Sequence, residues 1–302
     1  MSFSSDAKAE LCRERLESKS AAVAESYGVL LYCHSFSQSE IRIITASDAF
    51  AARLPRLFRR AFSLDFDVRP EEGATGKRSF LIRDADKLRR IFEAFGAERD
   101  ATLSHHVNFG VLEEESERVA FIRGAFLAGG SVTDPEKRYH LELATAHYAV
   151  SRESHSVLLE LGFDARETKR SGSFLLYFKQ ADVIADFFTA LGATTTAMAV
   201  MTAKVDKEMR NQITRIINCD SANADKVVSA AQGQLDAIRL IARRVGLDEL
   251  PEPLRDAALL RITNPAASLN DLAQLSYPKV TKSCLSHRLR KLTELAQSLG
   301  EE

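Results

Sequence analysis

The sequence predicts an α+β protein in which a duplicated α/β scaffold precedes a separate all-α module. Three observations point there. A helix-like segment holding Ala24 and Gly28 recurs 96 residues later as Ala120 and Gly124. Ser79-Phe80-Leu81 recurs as Ser173-Phe174-Leu175, and Phe95-Gly96-Ala97 is echoed by Leu191-Gly192-Ala193. The last 50 residues carry a different pattern, a trihelical module with a basic final helix. An internal repeat constrains architecture before any single element does.

In the first copy, residues 5–19 are charged and helical in tendency, and residues 21–32 form an apolar helix. Ile41–Ile44 alternates as a strand. Asp48–Phe62 reads as a helix, interrupted or restarted near Pro55. Phe66–Val68 is a short strand, Pro70–Gly76 a hairpin loop into Ser79–Ile82, and Asp84–Phe95 a helix closed by Gly96. The second copy repeats the order. Val119–Ala128 is its apolar helix, Tyr139–Ala144 a strand and Ala149–Leu161 a helix ended by Gly162. Phe163–Glu167 and Ser173–Phe178 flank a turn at Ser171-Gly172, and Ala181–Leu191 closes the unit before Gly192.

Ala120, Gly124 and Ala128 stand at i, i+4 and i+8, and Ala24 and Gly28 match the first two positions. Such ridges let two helices approach closely. Ordinary helix packing accounts for either set alone; their recurrence at matching places points to a seam between the copies.

Thr194–Ala203, rich in threonine and alanine, reads as an interdomain connection becoming helical near Lys204. Lys204, Lys207, Arg210 and Arg215 make the next stretch basic. Asn223–Arg244 is a long helix with the apolar series Val227, Ala231, Leu235, Ile238 and Ile241, ended by Gly246. Asn211, Asn218 and Asn223 are read as caps of helices and turns, with phosphate binding as the alternative. The expected domains are 1–98 and 99–195 for the two scaffold halves, 196–250 for a helical linker and 251–302 for the terminal module.

In that module, Pro253 opens a helix through Ile262, stopped by Asn264-Pro265. Ser268 and Asp271 form a capping-box-like pair before a short helix to Leu275. Ser276–Lys279 turns the chain, and Thr281 caps a helix to about Ser298. Leu285, Leu289, Leu292, Ala296 and Leu299 form its buried stripe. The other face carries Lys282, Ser283, Ser286, His287 and Arg290, flanked by Arg288 and Lys291. A recognition helix divides its residues in this way, apolar ones seating it and polar ones meeting DNA. Lys282 and Arg288 are the candidate phosphate contacts; Ser283, His287 and Arg290 are the candidate base contacts. A protein-interaction module with one basic helix face fits the same spacing.

Composition limits the alternatives. The chain has 302 residues, 41 basic and 42 acidic side chains and a net charge of -1, so bulk charge does not draw it to nucleic acid. Residues 255–302 hold seven Lys/Arg and five Asp/Glu, a net of only +2, which favours shaped contact over a polybasic tail. Cys12, Cys33, Cys219 and Cys284 are far apart without a CxxC, so neither a disulfide frame nor a metal site is expected. His105, His106, His140, His147 and His155 lack a matched Cys/His set and are read as local side chains. No apolar run of 18 residues occurs, which predicts a cytoplasmic protein without membrane contact.

Phe121–Ser131 (FIRGAFLAGGS) resembles a degenerate LAGLIDADG homing-endonuclease motif. Over nearly its whole length the chain resembles the WhiA family of bacterial transcription regulators, through Asn211, Asn218-Cys219, Asn223, Ala230-Ala231, Gln234 and His287-Arg288-Leu289-Arg290. The resemblance implies a LAGLIDADG-like scaffold joined to a helix-turn-helix. It further implies double-stranded DNA as partner, nucleoid association, and control of sporulation, cell-division or related developmental genes. A small WhiB-like iron–sulfur regulator and the RNA polymerase machinery are the protein partners it implies.

Active endonucleases of this type place an acid at the foot of each central helix to hold divalent metal. The matching positions here are Gly129 and Cys33, neither an oxygen-donor carboxylate. Asp134 nearby reads as a cap or solvated charge. No catalytic residue, cofactor or metal is therefore expected. Candidate scaffold contacts to DNA are Arg53, Arg56 and Arg60 on one helix, with Arg59 beside them, and Lys77-Arg78 in a hairpin; a solvated basic surface is the alternative. Glu113–Glu115 and Glu117 favour the N-terminus of the second central helix and solubility, with repulsion of DNA or contact with a basic protein as the alternatives. The readings that remain are a non-enzymatic transcription regulator, a chromosome-associated structural DNA-binding protein and a metal-dependent DNA nuclease.

Overall fold

The computed structural model describes residues 2–71, 76–96 and 105–300. Much of the hairpin loop expected at Pro70–Gly76 lies outside the described residues, as does Ala97. The chain divides into two compact units, Met1–Lys207 and Glu208–Glu302.

The first unit is built on α2 (Lys19–Leu31) and α5 (Glu115–Gly129), the central helices of the two copies. α1 (Phe3–Leu11) precedes them, capped by the Ser2 hydroxyl. In copy one, β1 (Ser35–Phe36), β2 (Ile41–Thr45) and β3 (Arg78–Ile82) form an antiparallel sheet in that order. α3 (Asp48–Phe62) and α4 (Ala85–Ala94) complete the copy. In copy two, β4 (Gly130–Val132), β5 (Leu141–Thr145), β6 (Arg166–Arg170) and β7 (Ser173–Phe178) form an antiparallel sheet ordered β4-β5-β7-β6. α6 (Tyr148–Glu160) and α7 (Ala181–Leu191) occupy the places of α3 and α4. Residues from both copies enter one continuous apolar core.

Three features depart from the sequence reading. Each central helix is followed by a short strand, β1 or β4; two or three residues carry no readable alternation. α3 runs unbroken through Pro55. β6 begins three residues later than expected, because as an edge strand it buries none of its side chains and leaves no apolar period. Its counterpart in copy one is a single bridge, Val68 to Leu81. The turn into β7 is a two-residue hairpin, with Ser171 at φ 50° and Gly172 at φ 83°, the paired positive dihedrals such a turn requires.

The seam is formed by two glycines. A Cβ on Gly28 would stand 2.0 Å from the Phe121 carbonyl oxygen, and one on Gly124 would stand 2.0 Å from that of Glu25. Each glycine receives the other helix's backbone, so the contact is reciprocal.

α8 (Thr194–Arg244) is one helix of 51 residues. The expected non-helical connection at Thr194–Ala203 is absent because helical geometry begins directly after Gly192-Ala193. Ala197, Val200 and Ala203 are buried in the first unit. Residues 208–230 are exposed throughout, and Asn211, Asn218 and Asn223 lie inside this stretch rather than at caps.

In the second unit, Ala231, Leu235, Ile238 and Ile241 of α8 are buried, whereas Val227 is exposed. The C-terminal turns of α8 supply Ala237, Ile238 and Ile241 to the core of α9 (Glu252–Thr263), α10 (Leu269–Leu275) and α11 (Lys282–Gly300). The Ser268–Asp271 capping box is formed in both directions, and Thr281 Oγ1 accepts the Cys284 N–H at 3.2 Å. No helix among the described residues is long and apolar enough to cross a membrane.

Candidate nucleic-acid interface

The heptad-like stripe of α11 positions its opposite face. Leu285, Leu289, Leu292 and Ala296 are buried against α9 and α10, and Leu299 is half-buried. Lys282, Ser283, Ser286, His287 and Arg290 then stand exposed and line one open depression. No acidic residue occurs between Asp271 and Glu294, while Lys279, Lys282, Arg288, Arg290 and Lys291 fall in that interval. The face is locally cationic although the module as a whole is nearly neutral. Arg290 Nε approaches Glu294 Oε1 at 3.4 Å, an exposed pair that water and salt readily loosen.

Arg288 and Lys291 are not part of that depression. Two residues along a helix turn through about 200°, which carries Arg288 to the far side from Ser286 and Arg290. Arg288 is half-buried and lines a separate groove with Asp256, Asn264 and Tyr277. Lys291 is exposed on the flank.

The scaffold candidates separate further. Arg53 is 4% exposed. Its Nε and Nη2 donate to the Glu25 carboxylate at 2.6 and 2.8 Å, and its Nη1 donates to the carbonyls of Cys12 and Glu14. Desolvation opposes its charge, but the Glu25 hydrogen bonds and charge hold its pKa above the ordinary value. Arg53 is thus a core side chain and is withdrawn as a DNA contact; helical spacing with Arg56 and Arg60 did not reveal the buried carboxylate facing it. Arg123 Nη1 also reaches Glu25, at 3.4 Å, so one buried acid joins α2, α3 and α5. Arg56 and Lys77 are exposed. Arg60 is exposed and donates to the Glu17 carbonyl, while Arg78 is largely covered and pairs with Asp48 at 2.6 Å. Arg59 pairs with Asp65 at 2.8 Å.

The helix feet do not offer paired carboxylates. A Cβ at Gly129 would meet the Ala144 carbonyl oxygen at 2.6 Å and the Tyr32 ring at 2.8 Å, so backbone and ring occupy the space of any side chain. Cys33 donates its thiol to the Ser35 carbonyl, and burial pushes its pKa up to about 12, so it is protonated at neutral pH. Asp134 Oδ1 accepts the Glu136 N–H at 2.9 Å, a local turn contact. The histidines have local partners: His106 bonds Glu153, His140 bonds Glu142, His155 bonds Glu167, and His105 stacks on His147 at 3.7 Å. Desolvation, with His105 beside it, lowers the pKa of His147. Among the described residues no three His, Cys, Asp or Glu side chains form a group able to hold a metal.

The charge count of the terminal module missed the burial of Arg261. It is 2% exposed and shares the inner face of α9 with Ala257 and Ala258. Its spacing of three and four residues from those alanines was the available signal.

Comparisons with known proteins agree with this division. Residues 118–210 match the family model described as the WhiA LAGLIDADG-like domain, and residues 213–296 match the WhiA C-terminal HTH domain. The chain is 34% identical over 307 residues to the "Probable cell division protein WhiA" of Ruminiclostridium cellulolyticum, covering 99% of this chain and 98% of that protein. It is 33% identical to the protein of the same description from Clostridium novyi, covering 100% and 99%. Among solved structures it is similar to full-length WhiA of Thermatoga maritima, with TM-score 0.61, 23% identity and 99% coverage of both chains. It also superposes on a WhiA N-terminal LAGLIDADG domain with TM-score 0.51 and 21% identity, over 63% of this chain and 92% of that one. With a LAGLIDADG-like unit lacking paired carboxylates at its helix feet, a terminal helix-turn-helix, and full-length relatives above 30% identity, the chain belongs to the WhiA family.

Proposed function

We propose that the chain is a non-enzymatic, sequence-specific DNA-binding regulator that reads double-stranded DNA with α11. The observation that carries this reading is the joint exposure of Lys282, Ser283, Ser286, His287 and Arg290 around one depression, opposite the stripe that seats the helix. Serine and histidine on such a face offer short donors and acceptors to base edges, and arginine can donate bidentately to guanine. Lys282, at the first turn, is suited to a phosphate. Arg288 and Lys291 are flanking phosphate contacts in this reading, and Arg56, Arg60, Lys77 and Arg78 widen the footprint where DNA reaches the scaffold.

The targets proposed from family membership are cell-division, sporulation or related developmental genes, and the protein acts at the nucleoid in the cytoplasm. The same resemblance extends the reading to promoters contacted together with a WhiB-like iron–sulfur regulator and RNA polymerase. Gly129 and Cys33 at the helix feet support binding without cleavage.

Genome-wide occupancy of the intact protein against Arg290→Ala tests the proposal. Sharp promoter-associated peaks that weaken in the variant are expected, since one good bidentate base contact is worth about 1–3 kcal/mol of discrimination. Broad occupancy without expression changes would instead favour a structural chromosome protein. Divalent-metal-dependent cutting of the bound sites would reinstate a nuclease.

A further inference from the structure

A second cationic depression lies in the terminal unit, away from the base-reading face. Arg261, a residue only 2% exposed, is among those that line it. Nε donates to Gln234 Oε1 at 3.0 Å and Nη1 to the Ala267 carbonyl at 2.6 Å. No carboxylate among the described residues pairs with it. A buried cation without a counter-charge is costly, and neutral oxygens offset only part of that cost. By contrast Arg53, the other arginine buried among the described residues, has a carboxylate bonded to it through two nitrogens.

Lys226 and Lys282 line the same depression as Arg261 and are both exposed. No acidic side chain among the described residues lines it. Asp271, the nearest acid in sequence to the Ser268 rim, has its Oδ2 taken up by the Ser268 N–H and hydroxyl. Val227, Ala230, Ala231 and Leu269 form its apolar wall. Two exposed lysines and the buried Arg261 therefore border one depression that no acidic side chain among the described residues lines.

We propose that this depression is an oxyanion seat that receives a phosphate group, held by Arg261 from within and by Lys226 and Lys282 at the rim. Lys282 also borders the base-reading depression, so occupancy of the seat and DNA binding by α11 share a residue. Phosphate of the DNA backbone beside the α11 footprint and the phosphate of a free small molecule present the same chemistry to these cations. The seat is independent of which sequence α11 reads.

The test uses the full chain and two probes. Inorganic phosphate is titrated by calorimetry at constant ionic strength, with chloride as the balancing anion. A random-sequence duplex is titrated across salt concentrations. Lys226→Glu, an exposed change on α8, and Arg261→Gln are compared with the parent, with thermal midpoints checking that each is folded. Saturable phosphate binding weakened about tenfold or more in Lys226→Glu supports the seat. If backbone phosphate fills it, both variants also lower the slope of log K against log salt by about 0.9 and inorganic phosphate competes with duplex. If a free phosphate fills it, the slope stays at the parent value while phosphate binding is lost. Phosphate binding that is absent from the parent, or unchanged in Lys226→Glu, overturns the proposal whatever the slope and leaves Arg261 as a strut between α8 and the α9–α10 connection. Should the chain bind no duplex at all, the phosphate titration still decides the seat.

Discussion

Arg53 and Arg56 stand three residues apart on α3 and have opposite fates. Arg56 is exposed, whereas Arg53 is folded against Glu25, a carboxylate only 1% exposed. Removing one partner of a buried pair leaves the other charged and desolvated. Arg53→Met is expected to cost about 3–5 kcal/mol in urea unfolding, and Arg56→Ala less than about 0.5 kcal/mol. Equal, small effects would show that Glu25 finds adequate compensation in Arg123. Cys33 provides a pH readout. Its thiol ionises near 9.0 when free and at about 12 in the fold. A folded pKa above the unfolded one means that the folded state retains the proton longer. Stability from this group is therefore intact below pH 9 and declines as pH rises from 9 towards 12, by about 2–4 kcal/mol in all. Cys12 is shifted the same way, so Cys33→Ala should flatten part of the alkaline loss, measured as thermal midpoint against pH. An unchanged profile would assign the loss to other groups.

At the scale of elements, the join between the copies depends on the absence of two side chains. A methyl at residue 124 would lie 2.0 Å from a backbone oxygen, which no rotamer change relieves. α2 and α5 must separate to admit it, and the surrounding core then loses contact. Gly124→Ala is expected to destabilise by about 3 kcal/mol, the upper range for overpacking, although alanine is the better helix former. A neutral or stabilised variant in urea unfolding would show that the seam can slide. β6 shows the opposite case: all its residues are exposed, so its position is set by hydrogen bonds to β7 and by the Ser171-Gly172 turn rather than by apolar side chains.

For the whole molecule, the relevant contrast is between two cores and the exposed stretch of α8. Every residue of 208–230 is exposed, Met209, Ile213, Ile216 and Ile217 included, so little buried apolar surface opposes local opening of this stretch. Helix segments with little tertiary burial are marginal in water. Limited proteolysis should cut first within this stretch, at Arg210, Arg215 or Lys226 for trypsin, and release two protease-resistant fragments. First cuts inside α5 or α11 would contradict that ordering.

Local and periodic features could be read from the residues alone. The recurrence of Ala24/Gly28 as Ala120/Gly124, the bounds of α7 and β7, the Ser268–Asp271 box and the stripe of α11 were all legible, because each rests on contacts a few residues apart or on one helical period. So was the polar face of α11, since burying Leu285, Leu289 and Leu292 turns Ser283, Ser286, His287 and Arg290 outward. Tertiary structure decided what depends on distant partners. It placed Arg53 on Glu25, turned Arg288 away from the exposed polar face of α11, filled the space beside Gly129 and buried Arg261 with no acid paired to it among the described residues. Charge and helical spacing look the same for a solvated arginine and a buried one. The difference comes from the residues that a neighbouring element brings to it, and one strand of text does not contain that neighbour's position.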